Sequence, residues 1–84
     1  MPFYNGYRGQ FHLLGEKNVW DAAYYFDREP VFPGESTISE MWFSPSLKEY
    51  GKNLISSGTF FEIREGDKVV AMGKITDSKF NKNQ

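Results

Sequence analysis

Apolar and polar residues alternate on both sides of Gly66-Asp67, with Phe61 and Ile63 before the pair and Val69, Val70, Ala71 and Met72 after it. Period-two alternation around a glycine-led break predicts a β-hairpin, with strands over residues 59–65 and 68–76. Alternation leaves the register open, because both faces of the second strand are partly apolar. A two-residue loop sets Ile63 against Val70 and Phe61 against Met72. A three-residue loop with a bulge sets Ile63 against Val69 and Phe61 against Ala71. Residues 36–44 also alternate: Ile38, Glu40 and Trp42 share one face, and Thr37, Ser39, Met41 and Phe43 the other. The face with Met41 and Phe43 is expected to point inward.

Two further strands are expected over residues 7–14 and 19–26, joined by a turn at 15–18. Trp20, Ala23 and Tyr24 fall at helical spacing, but the adjacent tyrosines and the aromatic density favour a strand. Pro33-Gly34 fits the centre of a type II turn, with Gly34 supplying positive φ. Residues 47–57 are more polar and read as either a helical turn or a loose strand. Counting the latter, six short strands separated by turns predict an all-β barrel or sandwich.

Composition changes this picture little. Eighty-four residues make a single domain, expected over 1–76, followed by a polar, frayed tail over 77–84. Eight Phe, five Tyr and two Trp supply a small core with large rings, each removing roughly 150–250 Å² from water. So many rings leave it open whether Trp20, Tyr24, Tyr25 and Trp42 are core or an exposed interface.

Charge and chemistry narrow the function. Ten Lys and Arg stand against eleven Asp and Glu, a formal charge of −1, so no global attraction for phosphate is expected. The chain has no cysteine, which excludes disulfides, Cys-ligated zinc and thiol catalysis. No apolar run reaches the ~18 residues of a membrane span, and the N-terminus lacks a signal-peptide pattern. The expectation is a cytoplasmic protein without membrane contact. His12 is the only histidine. It has no carboxylate near it in sequence and no metal-ligand spacing around it. Asp27, Glu29 and Glu35 cluster at the Pro-rich loop, where a solvated loop accounts for them. No Gly-x-x-x-x-Gly-Lys-Ser/Thr loop exists, and no serine sits in a nucleophile-elbow motif. No enzyme, cofactor, metal or small-molecule substrate is implied.

Three segments in order carry a resemblance. Pro2-Phe3 followed by Gly6-Tyr7-Arg8-Gly9-Gln10-Phe11 is similar to a Gly-Tyr-Arg-Pro-Gln-Phe strand. Phe32-Pro33-Gly34-Glu35 is similar to a Met-Pro-Gly-Asp turn, and Phe61-Glu62-Ile63-Arg64-Glu65-Gly66 to a Phe-x-Ile-Arg-Glu-Gly hairpin. Together, over almost the whole chain, they resemble the third, C-terminal domain of bacterial elongation factor Tu. The resemblance implies a six-stranded antiparallel Greek-key β-barrel without the family's GTPase domain. In that family the barrel touches the T-stem of aminoacyl-tRNA through a Gln of the first strand, a following Thr and the Glu-Gly of the hairpin. Gln10, Glu65 and Gly66 match those positions. The chain departs elsewhere: Gly9 replaces Pro, Leu14 stands where the family has Arg, and Gly15-Glu16-Lys17-Asn18-Val19 replaces Thr-Thr-Asp-Val-Thr.

The candidate binding residues are therefore Arg8, Gln10, Arg64, Glu65 and Gly66. The arginines are charges for a partner or for phosphate, and Gly66 permits close backbone approach. Arg64 and Glu65 also serve as plain exposed charges flanking a tight turn. The leading expectation is a non-catalytic binding module for a protein or ribonucleoprotein partner, with weak tRNA binding at most. A translation-type RNA binder is the alternative. A third reading is an inhibitory protein that mimics the barrel of elongation factor Tu and competes for its partners.

Overall fold

The computed structural model describes residues 2–45 and 55–77. Within them five strands form one antiparallel sheet: β1 (Tyr7–Leu13), β2 (Trp20–Phe26), β3 (Ser39–Phe43), β4 (Phe60–Glu65) and β5 (Lys68–Lys74). Their spatial order is β3-β2-β1-β4-β5. Residues 20–26 are a strand and not a helix, as the aromatic density of 19–26 predicts. The outer strands β3 and β5 do not pair with each other, so the described sheet is open where a closed barrel of six strands was expected. The sixth candidate strand, over 47–57, falls mainly on residues outside those described, as does the tail beyond residue 77.

The expected turns form. The Glu35 N–H donates to the Phe32 carbonyl at 3.0 Å, and Gly34 has φ 90°, the geometry of a type II turn. β3 begins at Ser39, three residues later than its alternation predicts. At the hairpin, Glu65 pairs with Lys68 across Gly66-Asp67. Gly66 has φ 63°, and among the described residues no non-glycine residue, Asp67 included, has positive φ, which fits a type II′ loop.

Hairpin register follows neither expected alternative. Arg64 pairs with Val69, but Ile63 pairs with Ala71, leaving Val70 as the extra residue of a β-bulge. The bulge lets consecutive residues Val70 and Ala71 both pack against the core. Beyond it the alternation resumes, with Ile75 buried and Met72 exposed. A slip of one residue thus resolves the mixed patterning of this strand.

The core lies on one face of the sheet, around Phe11, Leu13 and Tyr24, which are the largest fully buried side chains. Met41 and Phe43 pack against it, as the alternation of β3 predicts. Phe11 meets Phe43 edge-on at 4.8 Å between ring centroids, and Phe61 at 5.1 Å. Phe43 reaches Phe11 across β2 because Ala22, opposite Phe43, offers only a methyl group. The aromatic question divides evenly. Tyr24 is buried and Trp20 packs on the core, whereas Tyr25 and Trp42 form an edge-to-face pair on the opposite face.

Gly73 lies under the Phe61 ring, and a Cβ there would fall inside that ring's van der Waals envelope. Gly73→Ala is therefore expected to cost about 1–3 kcal/mol through overpacking. In a Phe61→Leu background the same change should cost less, since the obstructing ring is gone. Urea unfolding of the four proteins measures both values, and equal costs in the two backgrounds would remove the ring from the explanation.

Candidate functional site

Strand β1 is shared between two neighbours over different stretches. It pairs with β2 from Tyr7 to Phe11, but with β4 only from Gln10 to Leu13. Beyond the Gln10–Arg64 pair, the start of β1 and the hairpin tip are not paired with each other. A cleft of about 210 Å³ opens at this fork, lined by Arg8, Gly9, Gln10, Asp21, Ala22, Arg64, Glu65 and Gly66. All five candidate residues of the sequence, Arg8, Gln10, Arg64, Glu65 and Gly66, line this one cleft.

Register explains the grouping. Asp21, Gln10 and Arg64 stand directly opposite one another across β2, β1 and β4. Arg8 lies two residues before Gln10 on the same face of β1, and Gly66 closes the hairpin. Cross-strand neighbours have Cβ atoms about 4.5–5.5 Å apart, so the row forms one continuous surface. Formal charge in the cleft is balanced, with Arg8 and Arg64 against Asp21 and Glu65.

The charged groups differ in how they are held. Arg64 donates through Nε to Glu62 Oε1 at 3.1 Å, and its second guanidinium nitrogen lies 3.1 Å from the same oxygen. Glu65 accepts a short hydrogen bond from the Tyr7 hydroxyl, which bridges the fork. Burial, then the hydrogen bond and charge of Glu65, raise the Tyr7 pKa well above its ordinary 10.0 and keep the hydroxyl a donor. Arg8, Gln10 and Asp21 make no side-chain hydrogen bond or ion pair with any described residue. Among the described residues the cleft therefore presents an unpaired cation, amide and carboxylate beside two ionic groups already fixed in place.

Sequence reasoning missed Asp21, Glu62 and Tyr7. Asp21 is the single charged residue within β2, an outward position on an otherwise apolar strand. That signal was present, but only the register sets it against Gln10. His12 has the carboxylate neighbour that its local sequence lacks: Glu62 Oε1 lies 3.1 Å from its Nδ1, fifty positions along the chain. Its Nε2 donates to the Glu16 carbonyl at 2.6 Å and ties down the β1–β2 turn. This cluster lies on the outer face beside the cleft. Among the described residues no group of three His, Cys, Asp or Glu side chains is placed to hold a metal ion, and no helix is long and apolar enough to cross a membrane.

No protein family, curated protein or solved structure matches the chain. The likeness to elongation factor Tu rests on the three sequence segments quoted above.

Glu62 titrates below its ordinary 4.5, because His12 hydrogen-bonds its ionised form and Arg64 adds a second favourable contact. A depressed carboxylate stabilises the fold above its unfolded pKa, and that contribution fades as pH falls through the folded value. Glu62→Gln should therefore be less stable than wild type above pH 4.5, with the gap narrowing below it. Urea midpoints measured from pH 7 to pH 3 read this out. A gap that stays constant with pH would mean that Glu62 acts through packing and not through charge.

Proposed function

We propose that this chain is a non-catalytic binding module, cytoplasmic in setting, that engages a protein or ribonucleoprotein partner through the cleft between β1, β2 and the β4–β5 hairpin. One observation carries the reading. Five residues chosen from sequence as binding candidates line a single cleft, and the cleft holds unpaired polar side chains of both signs. A balanced set of donors and acceptors suits the mixed surface of a protein better than the uniform charge of a phosphate backbone. Arg64, fixed by Glu62, and Glu65, fixed by Tyr7, lose little rotamer freedom on binding, which lowers the entropic cost of capture.

The resemblance to the third domain of elongation factor Tu deepens the proposal. In the described sheet β4 returns beside β1 after a three-strand meander, the order that defines a Greek-key unit. This supports a relative of that barrel. Convergence of Gln10, Glu65 and Gly66, with Arg8 unpaired beside them, favours RNA as the second reading. Asp21 and Glu65 in the same cleft weaken it, because each repels phosphate.

Salt and nuclease separate the two readings. For a protein partner, capture from cell lysate should survive nuclease and change little with salt. Arg8→Ala should reduce capture with little loss of stability, since Arg8 is exposed. Affinity for aminoacyl-tRNA is expected at about micromolar or weaker, the range of non-specific binding. Saturable nanomolar tRNA binding that falls steeply with salt would replace the protein reading with the RNA one. Gly66→Val should weaken binding at the cleft and also strain the loop, because Gly66 has positive φ although the space around its Cβ is open.

A further inference from the structure

Among the described residues the sheet ends in two edge strands, β3 and β5, and they are built differently. Edge β5 carries Lys68 and Lys74 at its ends and a bulge in its middle, devices that deter strand addition. Edge β3 has neither lysine nor bulge. Its hydrogen-bonding alternation can be fixed from its two ends. The Asp27 N–H donates to the Ile38 carbonyl, and the Ser44 N–H to the Asp21 carbonyl. Residues 38, 40, 42 and 44 therefore bond towards β2. Ser39 and Met41 turn their N–H and C=O groups outward, to the side of β3 on which no described strand lies.

Side chains along this edge supply the rest of a docking surface. On the outer face Trp42 donates through Nε1 to Glu40 Oε1 at 2.6 Å and packs edge-to-face on Tyr25. Ile38, just before the strand, is 68% exposed. The surrounding charge is one-sided. Residues 20–45 hold five carboxylates (Asp21, Asp27, Glu29, Glu35 and Glu40) against one cation, Arg28, a formal −4 in a chain of −1. None of the five forms an ion pair with a described residue. Their field reaches out to about a Debye length, roughly 8–10 Å at physiological salt.

From this edge and the carboxylates around it, with which no described cation pairs, we infer that β3 receives an extended strand from a basic protein partner, in which Lys or Arg alternates with apolar residues. Backbone groups of Ser39 and Met41 pair with the incoming strand, as in β-strand addition generally. Its cations stand on the outer face, opposite Glu40 and against the Trp42 indole, which attracts them as an ion-pair partner and a π surface. Its apolar residues lie on the other face, continuing the row of Met41. This surface is separate from the cleft at β1 and β4, so either can fail without the other.

The test uses the whole chain and three synthetic heptapeptides. One alternates Lys with Val, one alternates Glu with Val, and one is the Lys peptide N-methylated on alternate amides. Tryptophan fluorescence and backbone amide shifts at Ser39–Phe43 report binding. The Lys peptide should bind at least tenfold more tightly than either control. Glu40→Gln, which keeps an oxygen for Trp42, should weaken the Lys peptide about tenfold, and Glu40→Lys should reverse the preference between Lys and Glu peptides. Ser39→Pro removes one outward donor without touching the ladder to β2, and should weaken binding several-fold with an unchanged circular dichroism spectrum. Equal binding of the N-methylated and parent peptides would overturn strand addition. An affinity indifferent to both Glu40 variants would overturn the basic partner. Self-association of the chain that Glu40→Lys abolishes would replace the partner with a second copy.

Discussion

The contact on which the rest of the structure depends is the ring of Phe11, at the centre of the middle strand. Two strands, β2 and β3, lie on one side of it and the β4–β5 hairpin on the other. Phe43 reaches it from β3, and Phe61 from the hairpin. The small residues nearby are what allow those approaches. Ala22 clears the path for Phe43, Gly73 makes room for Phe61, and a Cβ on Gly9 would come within 2.8 Å of Ile63 Cγ2. A chain this short buries only about 60% of its unfolded surface, so its core must draw density from a few large rings. Large rings interlock only where a neighbouring position is nearly empty. This gives Gly9, which departs from the proline of the resembling strand, a packing reason to be glycine.

The same packing shapes the cleft. Phe11 and Leu13 hold the second half of β1 against β4, with Ile63 and Phe61 opposite them. Before Gln10 the strand has only β2 as a partner. The fork between these two regimes is therefore set by the core, which brings together the polar residues on either side of it. Tyr7 and Glu65 span the fork, and Arg64 and Glu62 brace its floor. Removing the candidate side chains should leave the fold largely in place, and this allows binding to be separated from stability.

Legibility in the sequence tracked the range of the interaction. The glycine-led loop, the Pro33-Gly34 turn and the inward face of β3 were readable because each is decided within a few residues. The bulge at Val70 was not, because it depends on which of two neighbouring apolar residues the core can accept, and the sequence shows both as equally apolar. The candidate cleft divides in the same way. Arg8, Gln10, Arg64, Glu65 and Gly66 were selected from local motifs, whereas Asp21 joined them only through the β1–β2 register. His12 shows the limit most clearly. Its carboxylate partner lies on another strand, fifty positions away, so a search of the neighbouring sequence had no means of finding it.

Net charge reports a total and not its distribution. A total of −1 reads as electrostatic indifference, yet it is the sum of an acidic block spanning β2 and β3 and an excess of cations elsewhere in the chain. The sheet order puts the acidic block at one edge and two of the lysines, Lys68 and Lys74, on the strand at the other. A partner within a Debye length of either edge meets a field of definite sign, even though a distant one meets almost none. Cancellation across the sheet is therefore compatible with strong local selection of partners. At the neutral cleft, midway between the edges, the proposed binding would draw its selectivity from the arrangement of hydrogen bonds and not from net charge.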